Sequence, residues 1–154
     1  MDALFNMIKM VKKLNSDKIL KSIIVKNKSF LLDLNREQMY EYGILDINSP
    51  NRTVEYSNYT KTAKTGGVKG IKKAKYPRID HITLKWDGTF HKSLKLKIQD
   101  DWYEIWSNDP TWVYDLSTQR DFENALGLTQ KSIEKLRVFV LPLFITKTKE
   151  LING

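Results

Sequence analysis

The sequence contains no cysteine, which excludes disulfides, thiolate nucleophiles and thiolate-rich zinc sites together. Histidine is scarce as well: His81 and His91 are the only two. No apolar run approaches the roughly 20 residues that a membrane span needs. The best candidate, Val138 to Ile145, is too short and is interrupted by Pro142, so no membrane partner is expected. The opening M-D-A-L-F-N-M-I-K-M-V-K-K places an acid at position 2 and its lysines after the apolar residues. That order is the reverse of a secretory signal, and export by that route is not expected. Acidic residues are missing entirely between Lys61 and Arg78. These absences fit a cytosolic or virion protein.

At 154 residues the chain suits one domain, long enough to bury about two thirds of its unfolded surface. The formal net charge of +8 draws such a protein toward polyanions: nucleic acid, acidic lipid or an acidic protein surface. Most of the excess sits in K-T-A-K-T-G-G-V-K-G-I-K-K-A-K-Y-P-R, residues 61–78, which carries Lys61, Lys64, Lys69, Lys72, Lys73, Lys75 and Arg78. Gly66, Gly67 and Gly70 oppose helix there, because glycine loses the most backbone entropy on ordering. Residues 61–78 are therefore expected to form a flexible cationic loop that orders against a partner. The plainer alternative is a lysine-rich surface that only maintains solubility.

Residues 2–14 have the pattern of an amphipathic helix, with Leu4, Ile8 and Val11 at helical spacing. A second helix is expected from Asp17 to about Val25 on Ile19, Leu20, Ile23 and Ile24. A third carries Phe30, Leu31, Leu34, Met39 and Tyr40 and closes at Gly43, with a break near Asn27 and Ser29. Residues 46–50 are expected as loop and 53–59 as a short extended segment.

After the basic segment the period changes to two. Ile82, Leu84 and Trp86 alternate with Thr83 and Lys85, then Asp87-Gly88 gives a hairpin signal. Leu94, Leu96 and Ile98 form a second alternating run, and W-Y-E-I-W-S from Trp102 a third. Residues 111–116 could add an edge segment. Thr129 caps a last helix, with Ile133, Leu136, Val140, Leu141 and Phe144 as its stripe and Pro142 expected to kink it. The sum is a single α+β domain: N-terminal helices over 1–43, a central antiparallel β-meander over 80–116, and a C-terminal helix over 128–151 packed on the sheet.

Candidate chemistry is thin. His81 and His91 would approach one another if 81–86 paired with 89–98, with Asp80 or Asp101 nearby, yet no third ligand stands at a metal-binding spacing. Together with Glu104 they are the only acid–base groups on which a small nuclease could be built. T-G-G-V-K-G-I-K-K lacks the lysine-serine/threonine ending of a phosphate-cradling loop. No catalytic residue, metal site or cofactor is expected, and the chain is read as a non-enzyme. Tyr56, Tyr59 and Tyr76 beside the lysines leave non-specific nucleic-acid binding as an alternative. All four tryptophans, Trp86, Trp102, Trp106 and Trp112, fall on the meander. They are read first as core. Trp102, Trp106, Trp112 and Tyr114 are the candidates for an aromatic face that meets a neighbouring subunit.

Two segments carry a family likeness. D-L-N-R-E-Q-M-Y-E-Y-G-I at 33–44 is followed by V-E-Y-S at 54–57, and D-H-I-T-L-K-W-D-G-T-F-H-K-S-L-K-L-K-I at 80–98 continues into W-Y-E-I-W-S-N-D. Together they resemble small proteins encoded in tailed phages and prophages of Bacteroidetes, and these in turn are similar to tail-completion, or virion-morphogenesis, proteins of the phage neck. Asp87-Gly88, Phe90 and Ser93 occupy the family's threonine-glycine, apolar, serine turn, with Asp87 in the threonine's place; Gln119 and Gly127 match its later loop less closely. The likeness covers roughly residues 33–128 and carries no catalytic residue. It implies a homo-oligomeric ring between portal or head-closure proteins and the tail, in a virion assembled in the host cytoplasm. The basic loop would contact a neighbouring subunit, an acidic partner ring or DNA in the channel.

Overall fold

The computed structural model describes residues 16–43, 45–46, 49–53, 56–99, 103–110 and 126–153. The expected helix over 2–14, and Trp102, Trp112, Tyr114 and Gln119, lie outside the described residues. The architecture is α+β: helices before and after a small antiparallel sheet, with the C-terminal helix packed on it.

Helix α1 spans Ser16–Lys26 and α2 spans Lys28–Glu41. Asn27 separates them. Its amide Nδ2 donates to the Ile23 carbonyl at 2.8 Å, closing α1, while its own carbonyl accepts from Phe30 N–H at 3.1 Å to start α2. Gly43 ends α2 with φ +82, a left-handed conformation that side chains resist. The backbone of Leu45–Asp46 (β1) and Ser49–Thr53 (β2) forms a small antiparallel pair where a loop is expected over 46–50. Of the extended segment expected over 53–59, Thr53 alone is strand among the described residues, and Asn58 and Tyr59 open the next helix.

The expected loop over 61–78 begins as helix. Helix α3 spans Asn58–Thr65 and takes in Lys61 and Lys64. Ser57 Oγ caps it by accepting from Thr60 N–H at 3.2 Å. Gly66, at φ +91, closes it: Gly66 N–H donates to Ala63 O and Gly67 N–H to Thr62 O, the two reversed bonds of a Schellman motif. The glycines therefore lie past the helix and terminate it, so their entropy opposes no helical residue.

The expected strand over 81–86 is irregular. Thr83, read as outward-facing, is fully buried. Its N–H donates to Tyr56 Oη at 3.0 Å and its carbonyl accepts from His91 Nε2 at 2.7 Å, so side chains take the bonds a strand ladder would use. Leu84 next to it sits at φ +50, the only non-glycine described with positive φ. Asp87-Gly88 starts a helix where a hairpin is expected. Asp87 Oδ1 accepts from Thr89 N–H at 2.8 Å, Gly88 takes φ +94, and the single turn α4 (Thr89–Ser93) follows.

Strands β3 (Leu94–Ile98) and β4 (Tyr103–Ser107) pair antiparallel, with Leu96 opposite Ile105 and Lys95 opposite Trp106. The described part of the meander is thus one hairpin. Helix α5 spans Gln130–Asn153, two residues from its expected bounds at each end, and continues through Pro142. Thr129 caps it through Ser132 N–H.

Two apolar clusters meet along α2. Met39 packs with Ile82, Phe90 and Leu94; Leu31 and Leu34 pack with Ile24 of α1 and Leu136 of α5, flanked by Leu96 and Ile98. Each such side chain contributes about 1.5–3 kcal/mol on burial. Polar contacts fix the angle of α5: Asn35 and Gln38 of α2 both donate to the Gly127 carbonyl, and Gln38 Oε1 accepts from Thr129 N–H at 3.0 Å. Phe30 and Phe139 stack at 4.1 Å.

Candidate functional site

The seven cations expected to act together have three different fates. Lys64 is fully buried in α3. Its Nζ donates to Tyr56 Oη at 2.9 Å and lies 4.3 Å from the centre of that ring. Tyr56 Oη also accepts Thr83 N–H and passes its own proton toward Thr83 Oγ1 at 3.2 Å. Lys64 is therefore a strut of the interior and is withdrawn from any partner-facing set.

Arg78 is the second case. Its Nε donates to Asp80 at 3.0 Å, and its Nη1 donates to the Tyr40 carbonyl at 3.0 Å and to Glu41 at 3.1 Å. The Asp80 hydrogen bond, then that of Glu41, raises the guanidinium above its usual range, and Arg78 in turn holds Asp80 below the carboxylate range. The guanidinium stands 5.4 Å from the Tyr40 ring. Arg78 thus seals the C-terminal end of α2, where cations are favoured by exposed carbonyls. His81 does the same from the other side, with Nε2 donating to the Tyr40 carbonyl at 2.9 Å and Nδ1 3.0 Å from Asp80.

Lys61, on α3, is half-buried; the remaining four lysines form the exposed set. Lys69, Lys72, Lys73 and Lys75 are all exposed within one short stretch. That stretch is pinned to the body. Ala74 is buried and its N–H donates to the Lys64 carbonyl at 3.2 Å, and Tyr76 N–H donates to the Trp86 carbonyl at 3.2 Å. Among the described residues no carboxylate pairs with Lys69, Lys72, Lys73 or Lys75; Lys75 Nζ lies 5.8 Å from the Tyr76 ring. Lys85, which sequence reasoning passed over as an outward strand residue, stands 4.4 Å from the Tyr40 ring and 4.2 Å from the Tyr76 ring, tying the segment to α2.

The two histidines are engaged structurally and separately. His91 is buried, and burial lowers its pKa. Among the described residues no group of three or more His, Asp or Glu could hold a metal ion. A cleft of about 580 Å³ opens beside the strained Leu84, walled by Tyr56, Trp86 and Phe90. Trp106, the one described member of the expected aromatic face, is 37% exposed and lies under Lys95 Nζ at 5.3 Å.

A second surface lies on α5. Its buried residues are Ser132 and Leu136, while Val138, Leu141, Leu143, Ile145, Leu151 and Ile152 are exposed, Val138 to 73%. Between α5 and α1 runs an apolar groove of about 470 Å³ lined by Leu20, Ile24, Ile133, Val140, Leu141 and Phe144. Ile133 and Leu141, expected in the core stripe, are exposed. The signal for this surface is in the sequence: Val138, Leu141, Ile145 and Ile152 form a second apolar line at heptad spacing, and one helix cannot bury both lines on a sheet this small. No described helix is long and apolar enough to cross a membrane. Comparison of the chain with protein-family models, curated proteins and solved structures finds no match.

Proposed function

We propose that this chain is a structural subunit of a phage neck or tail, of tail-completion or connector type, joining the head or portal to the tail as one copy in a homo-oligomeric ring. The observation that carries this reading is the exposed apolar line of α5 beside the α1–α5 groove. A protein that works alone rarely leaves such a patch in water, whereas a subunit interface requires one. The line and the groove meet at Leu141 and form one continuous apolar face of the chain. Set against a different surface of the next copy, such a face makes a heterologous contact, which closes into a ring when the rotation between copies closes. The likeness of residues 33–44 and 80–98 to neck proteins supports the same reading. A free-standing nucleic-acid-binding protein would explain the lysines and leave α5 without a purpose.

The test is compositional. Particles purified from a producing host are expected to contain the chain, and deleting its gene is expected to give filled heads without attached tails. Finished, infectious particles that lack the chain would end the proposal.

A further inference from the structure

We infer that the exposed lysine edge formed by Lys69, Lys72, Lys73 and Lys75 is a docking surface for a phosphodiester backbone, and that a second copy of this chain does not cover it. The inference extends the proposed assembly role and can fail without it.

Charge complementarity argues against a second copy: two copies meet with the same net charge of +8. Many of this chain's described acids are already engaged with its own cations: Asp33 with Arg36, Glu37 with Lys135, Glu41 and Asp80 with Arg78, Glu134 with Arg137, and Glu150 with Lys147.

The make-up of the edge then separates nucleic acid from an acidic protein. Protein interfaces centre on apolar and aromatic side chains and are depleted in lysine. Between Lys69 and Lys75 the only large apolar side chain that is exposed is Ile71, at 38%. Lysine ammonium groups act as mobile point charges that meet phosphates without fixed geometry. Four of them lie on a stretch of chain that reaches at most about 20 Å, enough to meet more than one phosphate of duplex DNA. The backbone that carries them is held at Gly67, Ala74 and Tyr76, so little ordering entropy is lost on binding. Gly70 adds room, since a Cβ there would meet nothing within 4 Å.

The experiment is fluorescence anisotropy with a labelled mixed-sequence DNA duplex, the full chain, and three competitors or variants. Binding is expected to weaken by about a hundredfold between roughly 50 and 200 mM salt, the slope for about four phosphates. Replacing Lys69, Lys72, Lys73 and Lys75 by Gln is expected to reduce affinity at least about tenfold at the lower salt, with an unchanged circular-dichroism spectrum. A control that removes the same charge elsewhere, at Lys26, Lys28, Lys92 and Lys149, is expected to keep most of it. Polyglutamate is expected to compete poorly. Absent or salt-insensitive binding, equal losses in the two variants, or polyglutamate outcompeting DNA would each overturn the inference. The mass of the protein without DNA, measured in parallel, reports on the ring: a ring that ignores DNA defeats this inference alone, and a DNA-binding monomer defeats the proposed ring alone.

Discussion

The ammonium group of Lys64 donates to Tyr56 inside the protein, while that of Lys73, in the same basic segment, stands in solvent with its stem along Gly66. Their substitutions should separate cleanly. Lys64→Met keeps the volume and removes a buried cation, so unfolding in urea should change by no more than about 1 kcal/mol. Lys64→Ala leaves a void beneath Tyr56 and should lose about 2–3 kcal/mol. Equal, negligible effects would mean that Lys64 is not buried. Neither change should alter DNA affinity. Glycines separate in the same way. Gly66 needs its left-handed φ only, so Gly66→Ala should lose about 1 kcal/mol. Gly43 has the same need, and an added Cβ would stand 2.9 Å from His81 Cδ2, so Gly43→Ala should lose clearly more. His91 gives a pH dependence. Its pKa is below the ordinary value of 6.5 in the folded protein, so the unfolded chain binds the extra proton first as pH falls. The stability that buried neutral His91 contributes is complete above about pH 6.5 and declines below it. Urea midpoints should fall between pH 7 and pH 5.5 in the wild type and fall less in His91→Gln, which cannot titrate; parallel falls would contradict this.

Among the elements, α3 depends on its two ends, since it buries only Ala63 and Lys64. Ser57→Ala removes the cap and should destabilise α3 by about 1 kcal/mol, seen as faster amide exchange in Asn58–Thr65 with little change elsewhere. Uniform acceleration across the chain would show that α3 is part of the global folding unit. Its termination is legible in the sequence as T-G-G, since glycines that oppose a helix in its interior also end one when they follow it. Helices α1, α2 and α5 were readable because their apolar spacing and caps at Asn27, Gly43 and Thr129 agree. Strands β3 and β4 were readable from alternation. The segment 81–86 was not, because its alternation was matched in composition but overridden by contacts from distant residues: Tyr56 and His91 claim the backbone of Thr83. Nothing local in H-I-T-L-K-W announces those partners. The lysine edge was legible in the sequence as a charge run; that Lys64 and Arg78 leave it was not, since burial and capping depend on tertiary neighbours.

On the described surface two regions of different chemistry stand out. One is cationic and nearly free of large apolar side chains, between Lys69 and Lys75; the other is apolar, along α5 and the groove beside α1. A ring subunit that encloses a polyanion has use for both, the first facing inward and the second facing its neighbours. High salt should therefore release DNA while sparing the contacts between copies, because screening weakens exposed charges and not apolar burial. The most direct measurement of the central claim is sedimentation velocity of the purified chain at micromolar concentration, beside a variant carrying Val138→Lys, Leu141→Lys and Ile145→Lys. The account predicts a discrete oligomer for the wild type, persisting in high salt, and a folded monomer for the variant. A wild type that stays monomeric at every concentration, or a variant that assembles unchanged, would contradict it.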